Sequence, residues 1–253
     1  MYNLVLSNLF KGMKSRTIHS LFFVSCLFAG LTMFLTNGVA NGKIAGEIAN
    51  LTFLFSDASM LAILGAILAT ALIGSEFDAK LFHHSIVAGY SRLQIVTAKA
   101  LTYWLFLVVI ISPYAIFNIA AILLDWSVDI GMPTAGFLFI CNMNETVGSK
   151  LLLIAVMTVI YVGQLSLAIL LAFTLKRALL IIPVFYIVSA LTGQVSIYKD
   201  SLPVLNVLSV TPFSGKFIAL SSDHTVQAIF VSLLFMVVIV VVTFLMFRKV
   251  EIK

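Results

Sequence analysis

Residues 74–92 read GSEFDAKLFHHSIVAGYSR and form a short polar segment between two long apolar runs. Charge is scarce elsewhere, because 62% of the 253 residues are hydrophobic and only 10% are charged. The segment itself concentrates ionisable side chains, namely Glu76, Asp78, Lys80, His83, His84 and Arg92. A polar segment in so apolar a chain marks a place where membrane spans end and the chain meets water.

The composition indicates an integral membrane protein. The hydrophobic fraction lies well above the roughly 45–50% of soluble domains, and apolar runs of about 18 residues or more can cross a hydrocarbon core about 30 Å thick. A soluble fold would need almost every helix buried on all sides, which a chain of this size cannot supply. We therefore predict an all-α integral membrane protein with one transmembrane domain over residues 1–253.

Six apolar stretches are predicted to span the membrane, at about residues 18–36, 58–73, 100–124, 151–175, 178–195 and 226–247. Residues 2–16 precede them as an amphipathic helix on the membrane surface, with Leu6, Leu9, Phe10 and Met13 on one face. Two alternatives stay open here. Residues 2–16 can be the ragged start of the first span, and a cleaved signal peptide competes with that span, although its apolar stretch exceeds the usual 7–15 residues.

The basic residues predict the orientation of the chain. In this layout about eleven Lys and Arg residues fall on the side of residues 74–92 and about four on the other. Cytosolic loops carry this excess, so both termini and residues 74–92 are predicted to be cytosolic in a multi-pass protein of the cytoplasmic membrane. Residues 37–57, with an interfacial helix around residues 44–55, and residues 125–149 are then expected to be external loops. Residues 196–226 are expected to form short interfacial or re-entrant helices on the outer side. We read the net charge of +5 as a sign of topology and expect no nucleic-acid partner.

Local signals inside residues 74–92 predict a short helix between spans 2 and 3. Ser75 and Asp78 have the S-x-x-D spacing of a helix N-terminus, and the helix can follow over residues 79–88. Gly89 suits the left-handed conformation that ends a helix. Ser91 can cap the helix that enters the third span.

The predicted span interiors contain essentially no Asp, Glu, Lys, Arg or His. Ion-coupled carriers usually need such a group at depth, so this class is disfavoured. No phosphate-binding loop, HExxH motif or nucleophile elbow occurs. Adjacent residues of a helix point about 100° apart, so His83 and His84 cannot share one metal. We expect no catalytic residue, no metal site and no cofactor bound by this chain.

Two sets of polar residues keep two interpretations each. His83 and His84 form a contact surface for a partner or a solvated helix face at the lipid boundary. Asn118, Gln164 and Gln194 are the polar residues within the predicted spans, and they either hydrogen-bond between helices or line a cargo path.

The layout resembles the membrane subunit of bacterial ABC-2 type ATP-binding-cassette exporters. The resemblance rests on the amphipathic first helix, the six spans, the acidic Glu76 after span 2 and the short helix that follows. It also includes Gly89-Tyr90-Ser91-Arg92 and Lys99 at the entry to span 3, the tight Lys176-Arg177 turn, and an external segment broken by Pro203 and Pro212.

The resemblance implies that the short helix is a coupling helix seated in a groove of a separate ATPase subunit. The residues carried over to that interface are Glu76, Lys80, Phe82, His83, His84 and Arg92, and Pro203 and Pro212 would belong to the outer gate. ATP and Mg²⁺ would be bound by the partner ATPase, and a second permease subunit would complete a homodimer or heterodimer. The small size suits exporters of bacteriocins or other amphipathic peptides.

We therefore expect the permease subunit of an ATP-driven exporter, which is itself not an enzyme. Its cargo is expected to be amphipathic or hydrophobic, such as a peptide, an antimicrobial peptide or a drug-like molecule, because a site with few charges cannot favour a highly charged one. Two alternatives remain: an integral membrane immunity or assembly factor without transport, and an ion-coupled secondary transporter.

Overall fold

The computed structural model describes residues 2–44, 55–79, 81–126, 128, 136–197, 211–214, 217 and 224–248, and at 78, 82, 84, 178 and 192–197 it describes the backbone alone. Every regular element within these ranges is helical, which confirms the predicted all-α class. The helices are α1 (Tyr2–Met13), α2 (Arg16–Ala40), α3 (Asp57–Ala69), α4 (Ser75–Asp78), α5 (Leu81–Val87), α6 (Arg92–Leu123), α7 (Gly136–Asn142), α8 (Val147–Leu165), α9 (Leu167–Leu175), α10 (Ala178–Ile197) and α11 (Thr225–Arg248). A π-helical turn, Thr70–Gly74, joins α3 to α4.

Five helical segments are long and apolar enough to cross a membrane: Arg16–Ala40, Asp57–Phe77, Arg92–Leu123, Val147–Leu175 and Thr225–Arg248. The fifth predicted span, at about residues 178–195, corresponds to α10, which has 20 residues but whose described apolar part is the shorter Leu179–Leu191. Within the described residues, therefore, five of the six predicted spans are long and apolar enough to cross a membrane. These segments are compatible with a multi-pass membrane protein.

The outer surface of the bundle is apolar, as a lipid environment requires. Large hydrophobic side chains such as Phe34, Leu105 and Phe230 are exposed along the long helices. In the last of them, α11, only 22% of an apolar 18-residue stretch is buried inside the protein. A soluble protein rarely exposes a continuous apolar surface of this size, so we assign this surface to lipid.

Helix α6 is the centre of the bundle. It packs against α1, α2, α3, α7, α8 and α11. At its middle, the hydroxyl of the fully buried Tyr103 lies 3.0 Å from the carbonyl oxygen of Gly65 and 3.1 Å from that of Leu165. Trp104 of the same helix donates to the Ser166 hydroxyl at the break between α8 and α9 (2.8 Å). Buried aromatic donors of α6 therefore position α3 and the α8–α9 break.

Helix α1 has one exposed apolar face and one face that packs against the rest of the protein. Leu6, Phe10 and Met13 are 53–66% exposed, whereas Gly12 is buried against α6. A Cβ atom at Gly12 would overlap the ring of Phe106. Glycine at this position therefore lets α1 lie directly on α6 while its apolar face points away.

The local signals around α5 were right at its end and wrong at its start. Gly89 has φ +88°, and Ser91 forms a capping box with Gln94 at the start of α6. Ser75, however, is not an N-cap. Its backbone is helical, and its hydroxyl donates to the Ala71 carbonyl (2.7 Å) because the π turn carries the helix directly into α4.

The segment predicted to be the second external loop contains a helix that the sequence did not reveal. Residues 125–149 were interpreted as loop, but α7 lies within them and its Phe137, Leu138 and Ile140 are buried. The interfacial helix expected around residues 44–55 falls largely outside the described residues, as does most of the broken segment 196–226.

Replacing Gly12 by leucine should push α1 off α6. Overpacking of this kind costs about 1–3 kcal/mol of unfolding free energy, and trypsin cleavage after Lys11 and Lys14 should become faster. Gly148→Leu is the matched control, because a Cβ atom at Gly148 meets nothing within 4 Å. Equal cleavage rates and equal stabilities for the two variants in detergent micelles would contradict the docking of α1 by Gly12.

Candidate functional site

A buried carboxylate, that of Glu76 in α4, lies at the root of the short helix α5. Glu76 is 8% exposed. Its Oε2 atom lies 2.6 Å from the Nζ atom of Lys99 in α6, and its Oε1 atom lies 2.9 Å from the Nζ atom of Lys11 in α1. One side chain therefore ties three helices together at the same end of the bundle.

Lys99 is the more deeply placed of the two cations. It is 6% exposed, and its ammonium group also donates to Asn8 Oδ1 of α1 (2.9 Å) and lies 3.5 Å from the Leu72 carbonyl. A buried ammonium group needs this complete set of acceptors, because an unpaired charge in an apolar environment is very costly. Lys11, by contrast, has a side chain that is 61% exposed.

An aromatic cluster lies next to this carboxylate. Phe77 makes edge-on contacts with Phe173 of α9 and Phe247 of α11, with ring centroids 5.5 and 6.2 Å apart. Phe173 and Phe247 also meet, at 5.2 Å. The end of the second span is therefore held from one side by charge and from the other by three rings.

Arg92 terminates the last helix. Its Nη1 atom donates to the carbonyl oxygens of Phe247 (2.8 Å) and Arg248 (2.7 Å) at the end of α11, and its guanidinium carbon lies 5.7 Å from the Phe247 ring centroid. The last carbonyls of a helix lack partners within the helix, so a cation placed there stabilises the terminus. Arg92 thereby fixes α11 to the start of α6.

Helix α5 is bounded by defined turns at its C-terminal side. Gly89 N–H donates to the Ile86 carbonyl and Tyr90 N–H to the Ser85 carbonyl (2.9 and 3.2 Å), which is the double hydrogen bond of a Schellman motif. Two residues later the Ser91 capping box begins α6. Glu76 before α5 and Ser91 after it leave little freedom for this helix relative to the spans.

We name the end of the bundle that carries Glu76, Lys99, Lys11 and Arg92, together with α5, the junction. Two of the six predicted interface residues, Glu76 and Arg92, lie in the junction, and both make contacts within the chain. His83 is exposed on α5. Phe82 and His84 lie on the same helix, but their side chains fall outside the described residues, as does Lys80 altogether.

The three candidate path residues lie apart from the junction. Asn118 is 2% exposed and donates to the Tyr114 carbonyl of its own helix (2.8 Å), while its Oδ1 atom accepts from the Cys141 thiol (3.1 Å). Gln164 donates to the carbonyl of the buried Pro212 (2.9 Å). Both amides are thus engaged in packing contacts. The Gln194 side chain and Pro203 lie outside the described part of the chain.

Lys99 and Lys11 complete the junction, although neither was predicted to be a site residue. Both were counted among the basic residues that predict topology, and Lys99 also contributed to the family resemblance. A signal for Lys99 did exist. It lies seven residues after Arg92, two helical turns along the same face, and Glu76 is the carboxylate that ends the preceding span. For Lys11 and Asn8 no such signal exists, because nothing local indicates that α1 folds back onto α6.

The described residues contain no group of three or more His, Cys, Asp or Glu side chains that could hold a metal ion. No protein-family model matches this chain, and no curated protein sequence is significantly similar to it. The function therefore has to be inferred from the sequence and from the geometry of the junction.

Breaking the Glu76–Lys99 pair should be strongly destabilising. Glu76→Gln leaves the buried Lys99 charge unpaired, which costs about 3–5 kcal/mol of unfolding free energy. Lys99→Met leaves Glu76 with the exposed Lys11 as its remaining cation and should cost less, and the double variant should cost much less than the sum of the two. Lys11→Met removes the exposed partner of the same carboxylate and should cost about 0–1 kcal/mol. Chemical unfolding in detergent micelles measures the unfolding free energies of all four variants. A Glu76→Gln variant as stable as Lys11→Met would show that the buried pair contributes little.

Proposed function

We propose that the chain is the permease subunit of an ATP-driven exporter and that α5 is the helix on which a separate ATPase subunit acts. The observation that carries this proposal is the junction. A short helix with exposed His83 and Val87 stands between two spans, and buried charges fasten its base to the rest of the bundle. A helix that only connected two spans would not need this fastening.

The distribution of charge supports a cytosolic position for the junction. At this end of the described structure lie Lys11, Lys14, Arg16, Arg92, Lys99, Lys176, Arg177 and Arg248, whereas Lys43 and Lys150 lie toward the opposite end. The exposed or half-buried acidic residues Asp125 and Glu145 lie toward that opposite end as well. An excess of Lys and Arg marks the cytosolic side, where ATP is available.

The contacts of the junction suit the transmission of movement. A displacement of α5 would act on α3 through Glu76, on α6 through Lys99 and the Ser91 capping box, and on α11 through the aromatic cluster. Glu76 and Arg92 then position α5 and its neighbours instead of contacting the ATPase themselves. The contact surface is assigned to the exposed face of α5, which includes His83 and Val87.

The cargo is proposed to be amphipathic or hydrophobic. Within the described spans the charged side chains lie near the helix ends, such as Asp57, Glu76 and Lys99, and none lies at the middle of a span. A path through this body offers no counter-charge at depth, so it favours apolar solutes. ATP and Mg²⁺ are assigned to the ATPase subunit, and a second permease subunit completes the assembly.

Cysteine labelling tests the orientation. In a Cys26→Ser, Cys141→Ser background, Gly89→Cys at the junction and Gly42→Cys after α2 should react from opposite sides of the membrane. Both glycines lie in exposed turns with positive φ and have nothing within 4 Å of an added Cβ atom, so they are matched. We expect a membrane-impermeant maleimide to label Gly42→Cys in intact cells and Gly89→Cys only after lysis. The reverse result would place α5 outside, beyond the reach of an ATPase.

A matched pair of substitutions tests the ATPase contact. Val87 of α5 is 73% exposed and Val226 at the start of α11 is 80% exposed. Val87→Arg introduces a cation into the last turn of α5, where the helix dipole favours it, yet it should weaken binding of the ATPase by at least about tenfold if Val87 lies within the interface. Val226→Arg, at the opposite end of the bundle, should leave binding unchanged.

The measurement is co-purification from native membranes, with photolabelling of the captured subunit by an ATP analogue and assay of ATP-driven transport in vesicles. The proposal is supported if Val87→Arg abolishes both co-purification of the photolabelled subunit and ATP-driven transport, while Val226→Arg leaves both intact. Transport that persists without the ATPase and collapses with an uncoupler would favour the ion-coupled carrier. Absence of any ATP-binding subunit and of transport would favour an immunity or assembly factor.

A further inference from the structure

A second buried carboxylate lies at the opposite end of the bundle from the junction. Asp57, the first residue of α3, was expected in an external loop but is only 2% exposed. Its Oδ2 atom accepts hydrogen bonds from Phe137 N–H of α7 (2.7 Å) and from the Tyr161 hydroxyl of α8 (2.8 Å). Its Oδ1 atom accepts from Ala58 N–H (3.0 Å). The carboxylate therefore joins three helices.

The backbone around this carboxylate is shaped to fit it. Gly136, directly before Phe137, has φ +67°, a conformation that favours glycine. A Cβ atom at Gly136 would overlap both Asp57 Oδ2 and the Tyr161 hydroxyl. Only glycine lets α7 begin against the carboxylate, and the same closeness leaves no room for a metal ion between these three groups.

Within the part of the chain that the structure describes, Asp57 forms no ion pair, whereas both carboxylate oxygens of Glu76 do. The described titratable groups that interact with Asp57 are Tyr161 of α8, Tyr114 of α6 and Cys141 of α7. Lys150 lies near them, since its charge acts on Cys141 and its ammonium group donates to the Cys141 carbonyl. Asp57 thus differs from Glu76, because the hydrogen bonds found for it come from neutral donors.

The Tyr114 hydroxyl supplies a second observation. Tyr114 is 2% exposed, and among the described residues its hydroxyl has no hydrogen-bond partner. The charge of Asp57 acts on this hydroxyl, but no hydrogen bond joins the two side chains. The site therefore contains three donors for the ionised carboxylate and, near them, a buried hydroxyl that is not engaged with it.

We propose that Asp57 is a proton-binding site that fastens α7 to α3 and α8 when it is ionised and releases α7 when it is protonated. Protonation forms one O–H bond with a proton from the aqueous phase and breaks no other covalent bond. Asp57 is the first residue of the candidate span Asp57–Phe77, so it lies at the end of that span that is nearest to the aqueous phase. Hydrogen bonds to a charged acceptor are about twice as strong as those to a neutral one, so the three contacts weaken together. This proposal does not depend on the ATPase.

Infrared difference spectroscopy of the full chain in lipid nanodiscs tests proton binding. On acidification we expect the C=O stretching band of a protonated buried carboxyl group, absent in Asp57→Asn and retained in Asp125→Asn, a control at an exposed aspartate toward the same end. Tyr161→Phe removes one donor to the ionised form, so the band should appear about 1–2 pH units higher. A band that persists in Asp57→Asn, or no titrating band in the wild type, would overturn the proposal.

The native Cys141 reports on the release of α7. Burial raises the pKa of its thiol to about 12, so the closed state reacts slowly with maleimide. A lower pH by itself slows thiol reactions, so the labelling rate in a Cys26→Ser background is divided, at each pH, by the rate for the same chain unfolded in denaturant. This normalised rate should rise about tenfold on acidification in the parent and in Asp125→Asn, and it should be high at every pH in Asp57→Asn. A normalised rate that does not rise on acidification in the parent, or that keeps the parent's pH response in Asp57→Asn, would overturn the proposal.

Discussion

The pairing of Glu76 with Lys99 is the constraint on which the rest of the structure depends. In an apolar body neither charge can remain alone, so the end of the second span must lie against the start of the third. Lys99 also binds Asn8 and Glu76 also binds Lys11, so the same pair determines where α1 lies. The base of α5 follows from these contacts, because α5 begins within a few residues of Glu76.

The two ends of the bundle solve the problem of buried charge in different ways. At the junction, cations neutralise a carboxylate, and Arg92 caps a helix end. At the opposite end, the partners of Asp57 among the described residues are neutral hydrogen-bond donors, and a glycine conformation makes room for it. Between them the spans are held by hydroxyl, indole and carbonyl groups such as those of Tyr103, Trp104 and Ser166. A permanent ion pair suits transmission of movement, whereas a carboxylate without a cation can change its charge.

The structure divides the predicted interface residues into buried and exposed ones. The family resemblance grouped Glu76 and Arg92 with His83 as residues of one interface. In the structure the first two face inward and hold helices together, while His83 is exposed on α5. The proposed coupling therefore separates a contact surface on α5 from the buried residues that carry its movement to α3, α6 and α11.

The sequence by itself determined the helical class, the approximate spans, and the turn chemistry at Gly89 and Ser91, because hydropathy, glycine conformation and capping are local properties. Only the tertiary structure decided that Ser75 continues a helix, that α7 folds into the bundle, and that Asp57 is buried. It alone showed that Lys11 and Lys99 meet at Glu76, 65 residues along the chain from Lys11. Long-range contacts of this kind depend on how the helices pack, and no periodicity or motif within a single segment encodes them.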